Sequence, residues 1–321
     1  MSKIEKILLF LLIIFLPSQL GYHFWPDWSL VNGIRVDHLS PTVYLTDILI
    51  GLLILIKGSK LKVQGSIIIF VVLNTLAATN PLLAGYRWLR VYEYYWLYKY
   101  LVNSIQYSIF NIQLGLKIAL IWTAALAWIQ FLHQRSVGGW LYWLGERSFS
   151  VSTPGIAKVF IPHLGFILRP YSVLPHPNAL AGWLLVAGLM VGGWPLIISL
   201  ITIPITFSRS VILLLPTFLW RKSKMATIFL FSFLLALFSN LGNPNSFSER
   251  QILITQSLQV INQHFWLGVG LGNFIYHVPT IRQPVHNIYL LLASELGMPA
   301  LIVMGYWLIV NSKKLFLLAV T

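Results

Sequence analysis

Cysteine is absent from the 321 residues, so disulfides and thiolate metal sites are excluded. Charge is scarce as well: Asp, Glu, Lys and Arg make up 9% of the chain, against roughly 25% in soluble globular domains. Acids are few, eight against 22 Lys and Arg. They and the eight His are scattered, with no His-Glu-x-x-His or Asp-x-Asp spacing, so the common catalytic metal motifs have no ligands and no metal or other cofactor is expected. What is present in quantity is apolar: 57% of residues, with a mean hydropathy of +0.77. That balance excludes a soluble domain and predicts an all-α polytopic membrane protein, residues 1–321 forming one membrane domain. The formal charge of +14 does not imply nucleic acid, because much of it sits in short basic clusters beside apolar runs, as the positive-inside rule requires.

A helix needs roughly 20 apolar residues to cross a bilayer, and the runs suggest about ten spans. They are Ile7–Leu20, Thr42–Ile56, Ser66–Thr79, Tyr86–Val102, Leu116–Leu132, Asn178–Trp194, Pro195–Phe207, Ser210–Trp220, Ala226–Leu241 and His286–Val310. The first lacks a small-residue cleavage pattern and reads as a retained span. Counting spans puts Lys3/Lys6, Lys57–Lys62, Arg221–Lys224 and Lys313/Lys314 on the cytoplasmic side. The segments left outside include two large loops, 133–177 and 242–285. Their aromatic content predicts that they fold against the outer membrane face.

Polar residues inside such a chain need a reason. Arg209 lies in Phe207-Ser208-Arg209-Ser210, between two apolar runs of about 11–13 residues, short of a full crossing. It is either an anion site, since a guanidinium grips phosphate through two parallel hydrogen bonds, or an arginine snorkelling to headgroups. Arg250 lies near the start of an amphipathic pattern, Ile252–Phe265, with Ser248 as candidate N-cap and Gln251 at capping-box spacing. A cation there opposes the helix dipole, so it has an external anionic partner, or it pairs with Glu249 or is simply solvated. His286-Asn287 opens the last run. It holds either a base able to take a proton near neutral pH or a helix cap. Glu295, further along, either pairs with an arginine or marks a break at Gly297. His176-Pro177-Asn178, just after Arg169, reads first as a proline turn with a cap. The segment Gly268-Val269-Gly270-Leu271-Gly272-Asn273 lacks the Lys-Ser/Thr of a phosphate loop, so its glycines serve tight turns or close backbone approach rather than a nucleotide.

Read in order, these pieces resemble the O-antigen ligase and O-antigen polymerase family of bacterial envelope glycosyltransferases. The resemblance covers roughly residues 165–310. It rests on Arg169 with His176-Pro177-Asn178-Ala179-Leu180-Ala181, on Ser208-Arg209-Ser210, and on Arg250 opening a helix that runs into His264–Phe274. His286-Asn287-Ile288-Tyr289-Leu290 through Glu295-Leu296-Gly297 completes it. Tyr44-Leu45-Thr46-Asp47 is a weaker match. Ser210 stands where many relatives have glycine, and Phe265 where they often have proline.

The resemblance implies a GT-C-like fold with a large external catalytic loop, 242–285, before the last span. It implies transfer of a glycan from an undecaprenyl-diphosphate donor to a hydroxyl of a glycan or lipid acceptor. The site would lie on the periplasmic side of the bacterial inner membrane, and the reaction would be inverting and metal-independent. His286 would be the general base. Arg209 and Arg250 would hold the departing diphosphate, with Arg169, His176, Asn178 and Asn287 as further substrate contacts. Arg87, Arg90 and Tyr94 would line a path for the lipid diphosphate. A flippase for the same lipid-linked oligosaccharide, without catalysis, is the alternative; it would spread its cations through both leaflets.

Overall fold

Glycine, proline and asparagine cut the apolar stretches into helices that are mostly short. The computed structural model describes residues 1–58, 63–161, 163–214, 244–278 and 283–320, with side chains for all of these but 104–110, 244–247, 308 and 311–320. Two compact units emerge. The first comprises Met1–Gly21, Tyr44–Lys57 and Ser104–Gly242; the second comprises Tyr22–Val43, Gly58–Asn103 and Asn243–Thr321.

In the first unit, α1 (Lys3–Ile14) packs on α2 (Leu45–Lys57). Ser2 caps α1 by accepting from the Glu5 amide at 3.2 Å, and Glu5 pairs with Lys57 at 3.5 Å. A hairpin, β5 (Lys158–Ile161) with β6 (Gly165–Leu168), precedes α5 (Pro177–Val191). The chain turns at Gly192 into α6 (Gly193–Thr202), continues through a 3-10 turn, Ile203–Thr206, and enters α7 (Arg209–Leu214). Leu120, Ala124, Leu180, Leu184, Ile203 and Ile212 form the buried core that joins these pieces.

The second unit holds a hairpin, β2 (Leu30–Val31) with β3 (Ile34–Arg35), turning at Asn32-Gly33. It also holds α3 (Gly65–Leu76), α8 (Pro244–Gln263), α9 (Ile288–Leu296) and α10 (Met298–Val320). Its main core is Leu253, Val260, Val269, Phe274, Val278 and Val285. Helix α4 (Pro81–His133) contributes its two parts to the two units. Two further strands, β1 (Gly21–His23) and β4 (Thr42–Tyr44), form a small pair of their own.

Helix α3 is built the opposite way from a helix in water. Ile67, Ile68, Ile69, Val72, Leu73 and Leu76 are exposed, and its one buried residue is Asn74. Asn74 is fully engaged. Its amide nitrogen donates to the carbonyls of Leu267 (2.7 Å) and Glu295 (2.9 Å), and its oxygen accepts from Trp88 Nε1 (2.9 Å) and the Leu271 amide (3.2 Å). Nothing is gained in water by leaving six aliphatic side chains outside around one buried amide; in lipid that arrangement costs little.

The expected all-α bundle of about ten spans does not hold. Among the described residues one helix, Asn111–His133, is long and apolar enough to cross a membrane, and the loops carry small sheets. The reason is geometric. Composition marks apolar runs, whereas crossing needs helical length. At 1.5 Å per residue, α3 reaches about 18 Å and α5 about 22 Å, short of a hydrocarbon core of roughly 30 Å. The runs Tyr86–Val102 and Leu116–Leu132 are parts of the single helix α4. The run Ala226–Leu241, most of Ser210–Trp220 and the Arg221–Lys224 cluster lie outside the described residues. With the span count goes the counting that placed the basic clusters on one side and the loops on the other.

Candidate functional site

The predicted site residues fall into two groups, one in each unit. In the second unit, α8 begins at Pro244, earlier than its amphipathic pattern suggested. Ser248 is therefore inside the helix and not its cap, and Arg250 sits well past the first turn. Ile254, four residues on, shares Arg250's face. Helix α8 packs on α9 through Leu253, Val260 and the Ser294 hydroxyl, which donates to the Ser257 carbonyl at 3.4 Å.

The start of α9 resolves the two readings of His286-Asn287. Asn287 is the cap: its side-chain oxygen accepts from the amides of Tyr289 (2.9 Å) and Leu290 (3.3 Å). Among the described residues the His286 ring makes no hydrogen bond, so it is left for other work. Arg250, Ile254, Val285, His286, Asn287, Ile288 and Tyr289 line one open pocket of about 420 Å³. Partial burial holds the His286 imidazole below its ordinary pKa of 6.5, and the Arg250 charge adds to this; Glu249 opposes it. The ring is therefore neutral near pH 7, beside a guanidinium. Ile254, Val285, Ile288 and Tyr289 were not among the expected site residues, although helical register places Ile254 with Arg250.

In the first unit, His176 does cap α5, its Nδ1 accepting from the Asn178 amide at 3.1 Å with Pro177 at the first position. Arg169 is tied down by Nε donating to the Thr206 carbonyl (2.8 Å) and Nη2 donating to Asn178 Oδ1 (2.6 Å). Its pKa falls to about 10, chiefly through burial and also through the nearby Arg209 charge, while Tyr171 works the other way. Phe207 adopts a left-handed conformation (φ 50°) just before Ser208-Arg209, a strained geometry for a bulky residue. The adjacent Ser208 hydroxyl is buried and has no hydrogen-bond partner among the described residues. Arg169, Arg209 and Ser208 thus form a cationic cluster with donors to spare. The Arg169–Asn178 contact could not be read from the sequence, since it depends on how the β6–α5 loop folds back.

Other expectations resolve differently. The three glycines of 268–272 all take positive φ, yet they face protein. A side chain at Gly268 would lie 2.3 Å from the carbonyl carbon of Glu295. Its neighbours Val269 and Gly270 donate their amides to the carbonyls of Ser294 (2.9 Å) and Glu295 (3.1 Å). Gly268 therefore lets this loop lie on the end of α9, while a side chain at Gly270 would meet Ala78 and one at Gly272 would meet Arg87. The buried Glu295 carboxylate accepts from the Phe274 amide at 3.4 Å. Arg87 donates to the His38 carbonyl, and Arg90 donates to the Tyr94 hydroxyl (2.7 Å) and pairs with Glu93 (3.6 Å), so both are engaged within the protein. Among the described residues no three His, Cys, Asp or Glu side chains converge as metal ligands would. No family model, curated protein or solved structure matches the chain.

Proposed function

We propose that this chain is a membrane glycosyltransferase that moves a glycan from a polyprenyl-diphosphate donor to an acceptor hydroxyl at the outer face of the bacterial cytoplasmic membrane. The observation that carries the proposal is the α8–α9 pocket. It holds a neutral imidazole with no hydrogen bond among the described residues beside a guanidinium, with Ile254, Val285, Ile288 and Tyr289 completing the lining. His286 would take the acceptor's hydroxyl proton as the oxygen attacks the anomeric carbon. The bond from that carbon to the diphosphate oxygen breaks on the opposite face, inverting the centre. The electron pair leaves with the diphosphate, whose charge Arg250 offsets. The order of sequence motifs resembling O-antigen ligases and polymerases supports the reading, as do the inverted polarity of α3 and, among the described residues, one helix long and apolar enough to cross a bilayer.

The test is direct. Full-length protein in vesicles is given an undecaprenyl-diphosphate-linked oligosaccharide and an acceptor glycan or glycolipid. Release of undecaprenyl diphosphate together with glycan on the acceptor is expected, and His286→Ala should abolish it. Movement of the intact donor across the bilayer, with no bond broken, would instead identify a flippase.

A further inference from the structure

After the Asn111–His133 helix ends, the chain makes a tight turn, Gly139–Leu144, whose largest side chains point outward. Trp140 is 73% exposed, Tyr142 60% and Trp143 69%. This turn is not loose. The buried Glu146 carboxylate accepts from the amides of Val137 (2.8 Å) and Gly138 (2.7 Å) and from Gln130 Nε2 (2.8 Å), locking the turn onto the end of the helix. Gln130 also donates to the Ser172 carbonyl at 2.8 Å. At the far side Ser18 Oγ donates to the Leu144 carbonyl at 2.7 Å. Gly145, at φ 95°, lies so close that a Cβ there would be 2.6 Å from the amides of Gln19 and Leu20. A backbone pinned at both ends that still presents two indoles and a phenol outward forgoes the gain of burying them. The β5–β6 hairpin of the same unit does likewise with Phe160, Leu164 and Phe166.

The segment that carries these aromatics is basic, with Lys158 lying over the Phe166 ring. From residue 134 to 176 the chain carries Arg135, Arg147, Lys158 and Arg169 against the single acid Glu146, whose carboxylate is already satisfied internally. Arg135, Arg147 and Lys158 are exposed. Indole and phenol rings with polar edges favour the headgroup level of a bilayer, and exposed cations beside them favour anionic phosphates.

We infer that the 139–144 turn and strands β5 and β6 form an interfacial anchor that inserts into the headgroup layer of an anionic phospholipid membrane where the Asn111–His133 helix emerges. The inference rests on the membrane part of the proposed function and not on its chemistry. Because the chain has no cysteine, Tyr142→Cys carries a unique nitroxide label on an exposed position. Ile129→Cys, on the exposed side of the crossing helix, serves as the lipid reference, and free nitroxide in buffer as the aqueous one. Full-length protein is placed in phosphatidylcholine vesicles with and without phosphatidylglycerol. Collision with oxygen against a water-soluble nickel complex then reads depth.

The Tyr142 label is expected at headgroup depth, more so with phosphatidylglycerol. In those vesicles the ratio of immersed to aqueous label should fall about five-fold for each cation removed, by Arg135→Gln and by Lys158→Gln. A Tyr142 label that behaves like free nitroxide in both vesicles, with Ile129 still in lipid, would overturn the anchor and leave the glycosyltransferase reading untouched. A ratio unmoved by both charge removals would overturn the anionic preference. A water-exposed Ile129 label would overturn the membrane reading itself. Absence of glycan transfer, with these depths as expected, would fall on the chemistry alone.

Discussion

Asn74→Ala offers the most quantitative test of how the second unit is held. The wild-type amide makes four hydrogen bonds, to the Leu267 and Glu295 carbonyls and from Trp88 and Leu271. At about 1 kcal/mol net each, their loss amounts to about 4 kcal/mol. Interhelical hydrogen bonds in membrane hosts average about 0.6 kcal/mol, which gives about 2 kcal/mol as a lower figure. The variant should therefore lose about 2–4 kcal/mol, a large share of a typical domain's stability. Reversible unfolding in mixed micelles, scanned with denaturing detergent, measures it. Leu73→Ala, next to it on the exposed side, is the control and should change little. Asn74→Asp should be worse than Asn74→Ala, because its oxygens replace a donor that faces two carbonyls and its charge would be buried. If Asn74→Ala unfolds within about 0.5 kcal/mol of wild type, where ordinary surface substitutions fall, this amide does not hold α3, α4 and the 267–274 loop together.

His286→Ala should cut glycan transfer by roughly 10²–10⁴-fold while leaving unfolding unchanged, as removal of a general base does; near-wild-type turnover would assign the proton to another group. Transfer should fall as pH drops through a value below 6.5, because the base works only when neutral and burial with Arg250 hold its pKa down. Glu249→Gln removes the one opposing charge and should move this acid limb to lower pH, whereas Arg250→Gln should move it higher; a pH profile indifferent to both excludes His286 from the proton transfer. Arg209→Lys should fail nearly as badly as Arg209→Ala in donor binding, since an ammonium cannot make paired hydrogen bonds to phosphate, and full rescue by lysine would reduce Arg209 to a point charge.

The boundary between what was legible and what was not follows from range. Asn287 and His176 were readable as caps because a cap involves neighbours a few residues away. Arg250 with Ile254 is within reach of helical register, though Ser248 looks like a cap where the helix simply continues. Composition and the order of short polar motifs were also local. They made lipid the expected surroundings and singled out Arg169, Arg209, Arg250 and His286.

Helix length was not legible. Apolar runs look alike whether they form a crossing helix, a half-length one such as α3, or part of a longer one such as α4, because hydropathy sums composition while turns decide where a helix stops. The glycines of 268–272 are similarly ambiguous: positive φ is a local property, but what the freed space holds, here the end of α9, Ala78 and Arg87, is set by segments distant in sequence. The sequence by itself determined an apolar, cysteine-free chain with a few cations and histidines that need a purpose. Only the tertiary structure decided that His286 lies beside Arg250, and that Asn74 is the inside of its helix, because both depend on contacts that close only when distant segments pack.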